Sequence, residues 1–174
     1  MTSIKNLLNK VIKELEGDSE ITPPSNFIRG IPTLKKGYYR KVSPMLKERF
    51  ISIGSWIDST HGDWLDIHEM ELFWNEPIKN ERMSEIISNV RSSINNWEDD
   101  AGSLFAENRV TVFAASQFTF ERVYLIWFDS TIEPEIWVYD SNGESRYKDL
   151  ASYLKSFIKD DVSASNKKWK LADL

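Results

Sequence analysis

Residues 109–158 read RVTVFAASQFTFERVYLIWFDSTIEPEIWVYDSNGESRYKDLASYLKSFI, and the patterning of this stretch decides the fold. Arg109 to Ala115 is rich in Val, Thr and Phe. Arg122 to Phe128 is nearly all apolar, and Glu135 to Tyr139 alternates around Ile136 and Val138. Each of the three runs predicts a strand. A strand buried on both faces loses its period of two, so VYLIWF reads as a central strand flanked by the other two. The linkers are short, which favours antiparallel neighbours. Asp140-Ser141-Asn142-Gly143 supplies a turn in which Gly143 is free to take positive φ. Leu150, Tyr153, Leu154, Phe157 and Ile158 then recur at the spacing of an amphipathic helix, whose stripe needs a sheet face to cover.

Outside this stretch, Ile4, Leu7, Leu8, Val11, Ile12 and Leu15 form a second helical stripe, with Ser3 as N-cap and Gly17 as a stop. Prolines and glycines between 18 and 41 break any long element. Ser43-Pro44 opens a short helix to about Phe50, whereas Phe50, Ile51 and Ile53 would equally suit a strand over 49–57. Thr60-His61-Gly62-Asp63 reads as a turn, and Trp64 to Leu72 as beginning in a strand. Glu81 to Trp97 returns to helical spacing. Strands in a run beside segregated helices indicate an α+β domain over 1–160, with a polar tail at 161–174.

With 41% hydrophobic and 28% charged residues, the 174-residue chain has the composition of one soluble globular unit. It has no cysteine, which excludes disulfides, thiolate metal sites and cysteine nucleophiles and suits a cytoplasmic location. The N-terminus lacks the continuous apolar core of a secretory signal, and no run is long enough for a membrane span. The net charge of −5 divides unevenly: residues 1–50 carry +5, residues 51–145 carry −13 and residues 146–174 carry +3. So acidic a middle section repels phosphate backbones, and direct nucleic-acid binding is not expected.

His61, Asp63, Asp66 and His68 lie close in sequence, but their spacing matches no metal-ligand pattern, and no metal is expected. No phosphate-binding loop, dinucleotide fingerprint or nucleophile elbow occurs, so no cofactor and no catalytic residue is assigned. Trp127, Phe128, Trp137 and Tyr139 could stack on bases or sugars, but alternate strand residues more often face a core. Two acidic clusters remain: Asp58, Asp63, Asp66 and Glu69 around the turn, and Glu98, Asp99 and Asp100 at a helix C-terminus, where the macrodipole disfavours them. With Trp64 as an aromatic anchor, these are the candidate partner-binding residues.

The stretch also resembles the SUKH superfamily, which includes yeast glucan-synthesis regulators of the Smi/Knr type and bacterial immunity proteins. The resembling residues are Val110 to Ser116, Val123 to Asp129, Glu135 to Asp140 and Tyr147 to Ile158, with Leu150-Ala-Ser-Tyr153-Leu154 standing for the start of the family's helix. Val42 to Phe50 matches the family's Pro-containing helix less closely, because Ser43 intervenes before Pro44. The glycine-rich turn before the aromatic strand is replaced by Gln117-Phe-Thr-Phe-Glu121. The resemblance implies a bent, mainly antiparallel sheet flanked by helices and a role in binding protein. Its bacterial members imply a cognate toxin, often a nuclease and hence basic, as partner. The alternatives are a small hydrolase with a carboxylate-lined pocket using His61 or His68, and a cell-wall-related regulator.

Overall fold

The computed structural model describes residues 3–15, 17, 19–25, 28–75, 78–95, 105–129 and 131–160. The three expected strands form as β6 (Val110–Ala115), β7 (Arg122–Ile126) and β8 (Glu135–Asp140), with β7 in the middle. They belong to a seven-stranded sheet, antiparallel throughout, that also contains β1 (Glu20–Ile21), β4 (Trp56–Ile57), β5 (Asp63–Trp64) and β9 (Gly143–Tyr147), in the order β1-β4-β5-β6-β7-β8-β9. A separate pair joins β2 (Ile31–Pro32) to β3 (Tyr39–Arg40). The register of β6 on β7 shifts between Val112 and Ala114, an irregularity of the kind a bulge makes.

Among the described residues, five α-helices complete the α+β fold. α1 (Ile4–Glu14), α2 (Pro44–Ser52) and α5 (Leu150–Lys159) pack on one another, and α5 also touches β8 and β9. Their N-caps are Ser3, Ser43 and Asp149, each accepting a backbone N–H from its own first turn. The helix reading of 44–52 prevails over the strand reading because Ser43 caps it and Pro44 occupies its first turn, where a missing N–H costs nothing. α3 (Ile67–Glu71) and α4 (Glu81–Ile94) are the other two.

The two sheet faces carry different side chains. On one, Phe113 meets Trp64 at 4.5 Å between ring centroids, and Tyr153 of α5 meets Trp64 and Tyr147. On the other, Phe105 stacks edge-on against Tyr124 and Trp137, which are cross-strand partners. Trp127, Phe128 and Trp137 are buried, so these aromatics are core and offer no stacking platform. Arg49 is fully buried among Phe50, Trp64 and Phe113, donating to the carbonyls of Ile53 and Leu65 at 2.9 and 3.0 Å. Burial lowers its pKa to about 9 against the opposing pull of Asp66 and Glu69. No helix among the described residues is long and apolar enough to cross a membrane.

Candidate functional site: the loop end of the sheet

Because each strand reverses its neighbour, three connections fall at one end of the sheet: the β4–β5 turn (58–62), the β6–β7 loop (116–121) and the β8–β9 turn (141–142). The first two touch. Gly62 has φ +89°, and a Cβ there would lie 2.4 Å from the backbone of Ala115 and Ser116, so only glycine allows this approach. The β6–β7 loop is held by its own hydrogen bonds and by Asn89 of α4, whose Nδ2 donates to the Gln117 carbonyl at 3.2 Å. Ser116 N–H donates to the carbonyl of Glu121, and Ser116 Oγ accepts from Phe118 and Thr119. The rings of Phe118 and Phe120 are left 82% and 60% exposed at the tip.

Beside this tip runs a hydrogen-bond chain. Trp64 Nε1–H can only donate, and it donates to Thr60 Oγ1 at 3.0 Å. Thr60 Oγ1 is also hydrogen-bonded to the Tyr153 hydroxyl, which is in turn hydrogen-bonded to His61 Nδ1 at 2.7 Å. His61 Nε2 lies 3.3 Å from Asp140 Oδ2, which can only accept, so a neutral His61 carries its proton on Nε2 and takes the Tyr153 O–H at Nδ1. Burial pushes the His61 pKa down, outweighing the pull of Asp140 and Glu121. Burial likewise raises the pKa of the Tyr153 hydroxyl, which stays protonated.

Asp140, His61 and Tyr153 line a cavity of about 380 Å3, completed by Tyr147, Phe157 and the ends of α1 and α5 at Glu14 and Asp160. Both nitrogens of His61 are engaged and Asp140 also accepts the Asn142 N–H at 2.7 Å, so the cavity has fixed walls. Such an arrangement can hold a group against Asp140. Its Tyr153 hydroxyl is not prepared as a nucleophile, because burial raises its pKa.

The candidate residues read from sequence separate here. Trp64 is fully buried between Trp56 and Phe113, so it is a core residue and presents no ring to a partner. Asp63 is 2% exposed, accepting the Asp58 N–H and an ion pair from Arg82 at 2.8 Å. Asp66 and Glu69 form a capping box at the start of α3, and Glu69 also binds Ser55 Oγ and Arg82. Three of the four acids around the turn are thus committed to the fold. Their spacing, Asp66 followed three residues later by Glu69, is the capping signal that turns the segment beginning as a strand at Trp64 into α3. Asp58 alone of the four is exposed, with φ +52°. Glu98, Asp99 and Asp100 lie outside the described residues. His61 and His68 are not brought together: His68 is exposed on α3, and the described residues hold no group of three metal-ligating side chains. Sequence reasoning passed over Phe118, Phe120 and Asp140, although two phenylalanines inside a short polar hairpin loop were visible as an anomaly.

Comparison of the chain with protein-family models, with curated proteins and with solved structures gives no match in any of the three.

Proposed function

We propose that the chain is a non-enzymatic protein-binding module, an immunity protein of the SUKH kind that neutralises a cognate bacterial toxin by direct contact. The observation that carries this reading is the pair Phe118 and Phe120 at the loop tip, 82% and 60% exposed on a backbone that needs neither ring. Burying a phenylalanine is worth about 1.5–3 kcal/mol, so two exposed side by side are an unused source of binding energy. The resemblance of residues 109–158 to immunity proteins supplies the kind of partner. The hydrolase reading is less well supported, since His61 has both ring nitrogens engaged and the hydroxyl beside it is held protonated.

The test pairs the purified chain with the toxin domain encoded by the adjacent gene. Calorimetric titration should give a stoichiometric complex, and the toxin's activity should fall in proportion to complex formed. Absence of a complex, or inactivation of the toxin by substoichiometric chain with turnover, would defeat the reading.

A further inference from the structure

We propose that the loop end of the sheet is the partner-binding face, and that its occupant is a basic protein surface. Such a partner covers Phe118 and Phe120 with an apolar hollow and extends an arginine or lysine into the cavity beside Asp140. This rests on the protein-binding reading above and deepens it.

The apolar part is set by position. Phe118 and Phe120 stand in the loop that ends at Glu121, and the cavity lined by Asp140 lies at the same end of the sheet. β7 and β8 run in register from Arg122 opposite Tyr139, which places Glu121 next to Asp140 across the strand pair. Exposed aromatics flanking a cavity match the anchor-and-pocket composition of binding hot spots.

Charge selects the occupant. Asp58 and Glu121 come from two of the connections and Asp140 from the end of β8 beside the third, with Glu14 and Asp160 from the ends of α1 and α5, whose C-terminal dipoles favour a cation. Glu14 and Asp160 form no ion pair among the described residues. The cation closest to this end along the strands, Arg122, lies 5.0 Å over the Tyr139 ring and donates to the Phe120 carbonyl, so it is spent on the sheet. Lys13 and Lys159, in the last turns of α1 and α5, do not line the cavity. A second copy would set acid against acid across a two-fold axis, and a nucleic acid would meet the same repulsion. A guanidinium instead finds a carboxylate with aromatic faces from His61 and Phe157 nearby. The chain from Trp64 through Thr60 and Tyr153 to His61 holds Asp140 in place beforehand, which lowers the ordering cost of binding.

The test presents the full chain to a random peptide library at low salt and reads the enriched sequences. Enrichment should favour peptides that combine arginine or lysine with large apolar residues. Their affinity should fall about tenfold or more in the double variant Phe118→Ser/Phe120→Ser. It should fall less, but measurably, in Asp140→Asn and in the rim variant Asp160→Asn, which keeps the charge test open if Asp140→Asn misfolds. Ile51→Ser, an apolar change on α2 at a residue 54% exposed, should bind as the parent does. Failure to enrich any peptide, enrichment of acidic or uncharged peptides, or equal binding by all variants would overturn the proposal. So would a dimer of the free chain that the double variant abolishes. A toxin that binds the parent and the double variant alike would refute this face while leaving the immunity reading intact. Peptide selection that succeeds beside a toxin that never binds would do the reverse.

Discussion

Asp63 shows at the scale of one residue why an acid count misleads. One of its oxygens holds the Asp58 N–H at 2.9 Å and the other holds Arg82, and the side chain is buried. Asp63→Asn keeps the shape but removes the charge opposite a partly buried guanidinium. The expected loss is about 1–3 kcal/mol in urea unfolding, whereas a surface acid would change stability by less than about 0.5 kcal/mol. His61 gives a pH signature. Its folded pKa is depressed, so between that value and the ordinary histidine value the unfolded chain binds more protons. Stability is therefore full at neutral pH and above, and it declines as pH falls through the ordinary histidine range. Melting temperatures taken from pH 7.5 to 5.5 should decline in the parent and decline less in His61→Asn. Equal slopes would show that the chain through Tyr153 does not depend on a neutral imidazole.

At the scale of elements, α5 is the helix whose stripe most needs the sheet. Leu150, Tyr153 and Leu154 are buried, with Phe157 and Ile158 packed at the margin. Leu154→Ala should cost about 2–5 kcal/mol, because a fully buried leucine leaves both lost transfer energy and a cavity. A midpoint shift equivalent to less than about 1 kcal/mol would place that stripe outside the core. β9 is the element that composition concealed. Gly-Glu-Ser-Arg-Tyr has little β propensity, yet Gly143 at φ +97° turns the chain back so that Ile136 to Asp140 pair with Tyr147 to Gly143. As an edge strand it needs only one partner. Arg146 lies 4.0 Å over the Trp137 ring opposite, so a cross-strand contact replaces the missing intrinsic preference.

Over the whole molecule, the uneven charge becomes a matter of encounter rate. If the acidic loop end meets a basic toxin, association should slow about tenfold or more as salt rises through the range where the Debye length drops below ~10 Å. Neutralising Asp58, Glu121 and Asp160 together should lower the rate at low salt and flatten that dependence with the fold unchanged, as stopped-flow mixing would report. Neutralising Asp63 and Asp66 instead would confound the measurement by weakening the turn and the α3 cap. A salt-independent rate in the parent would remove electrostatic steering from the account.

The stripes at 4–15, 81–97 and 150–158 and the runs at 109–115, 122–128 and 135–139 were readable as elements, because burial imposes a period on each segment by itself; the structure forms them as Ile4–Glu14, Glu81–Ile94, Leu150–Lys159, Val110–Ala115, Arg122–Ile126 and Glu135–Asp140, with residues 96–97 outside the described ones. Their antiparallel order followed from short linkers, and the α+β class from their succession. Tertiary structure alone decided what the polar residues are for. Whether Trp64 is anchor or core, and whether Asp63 steers a partner or holds Arg82, depends on neighbours brought from distant parts of the chain: Ala114 opposite, Phe113 beside and Arg82 nineteen residues on. Hydrophobic periodicity is a local property of the chain, whereas hydrogen-bond satisfaction and exposure belong to the assembled fold.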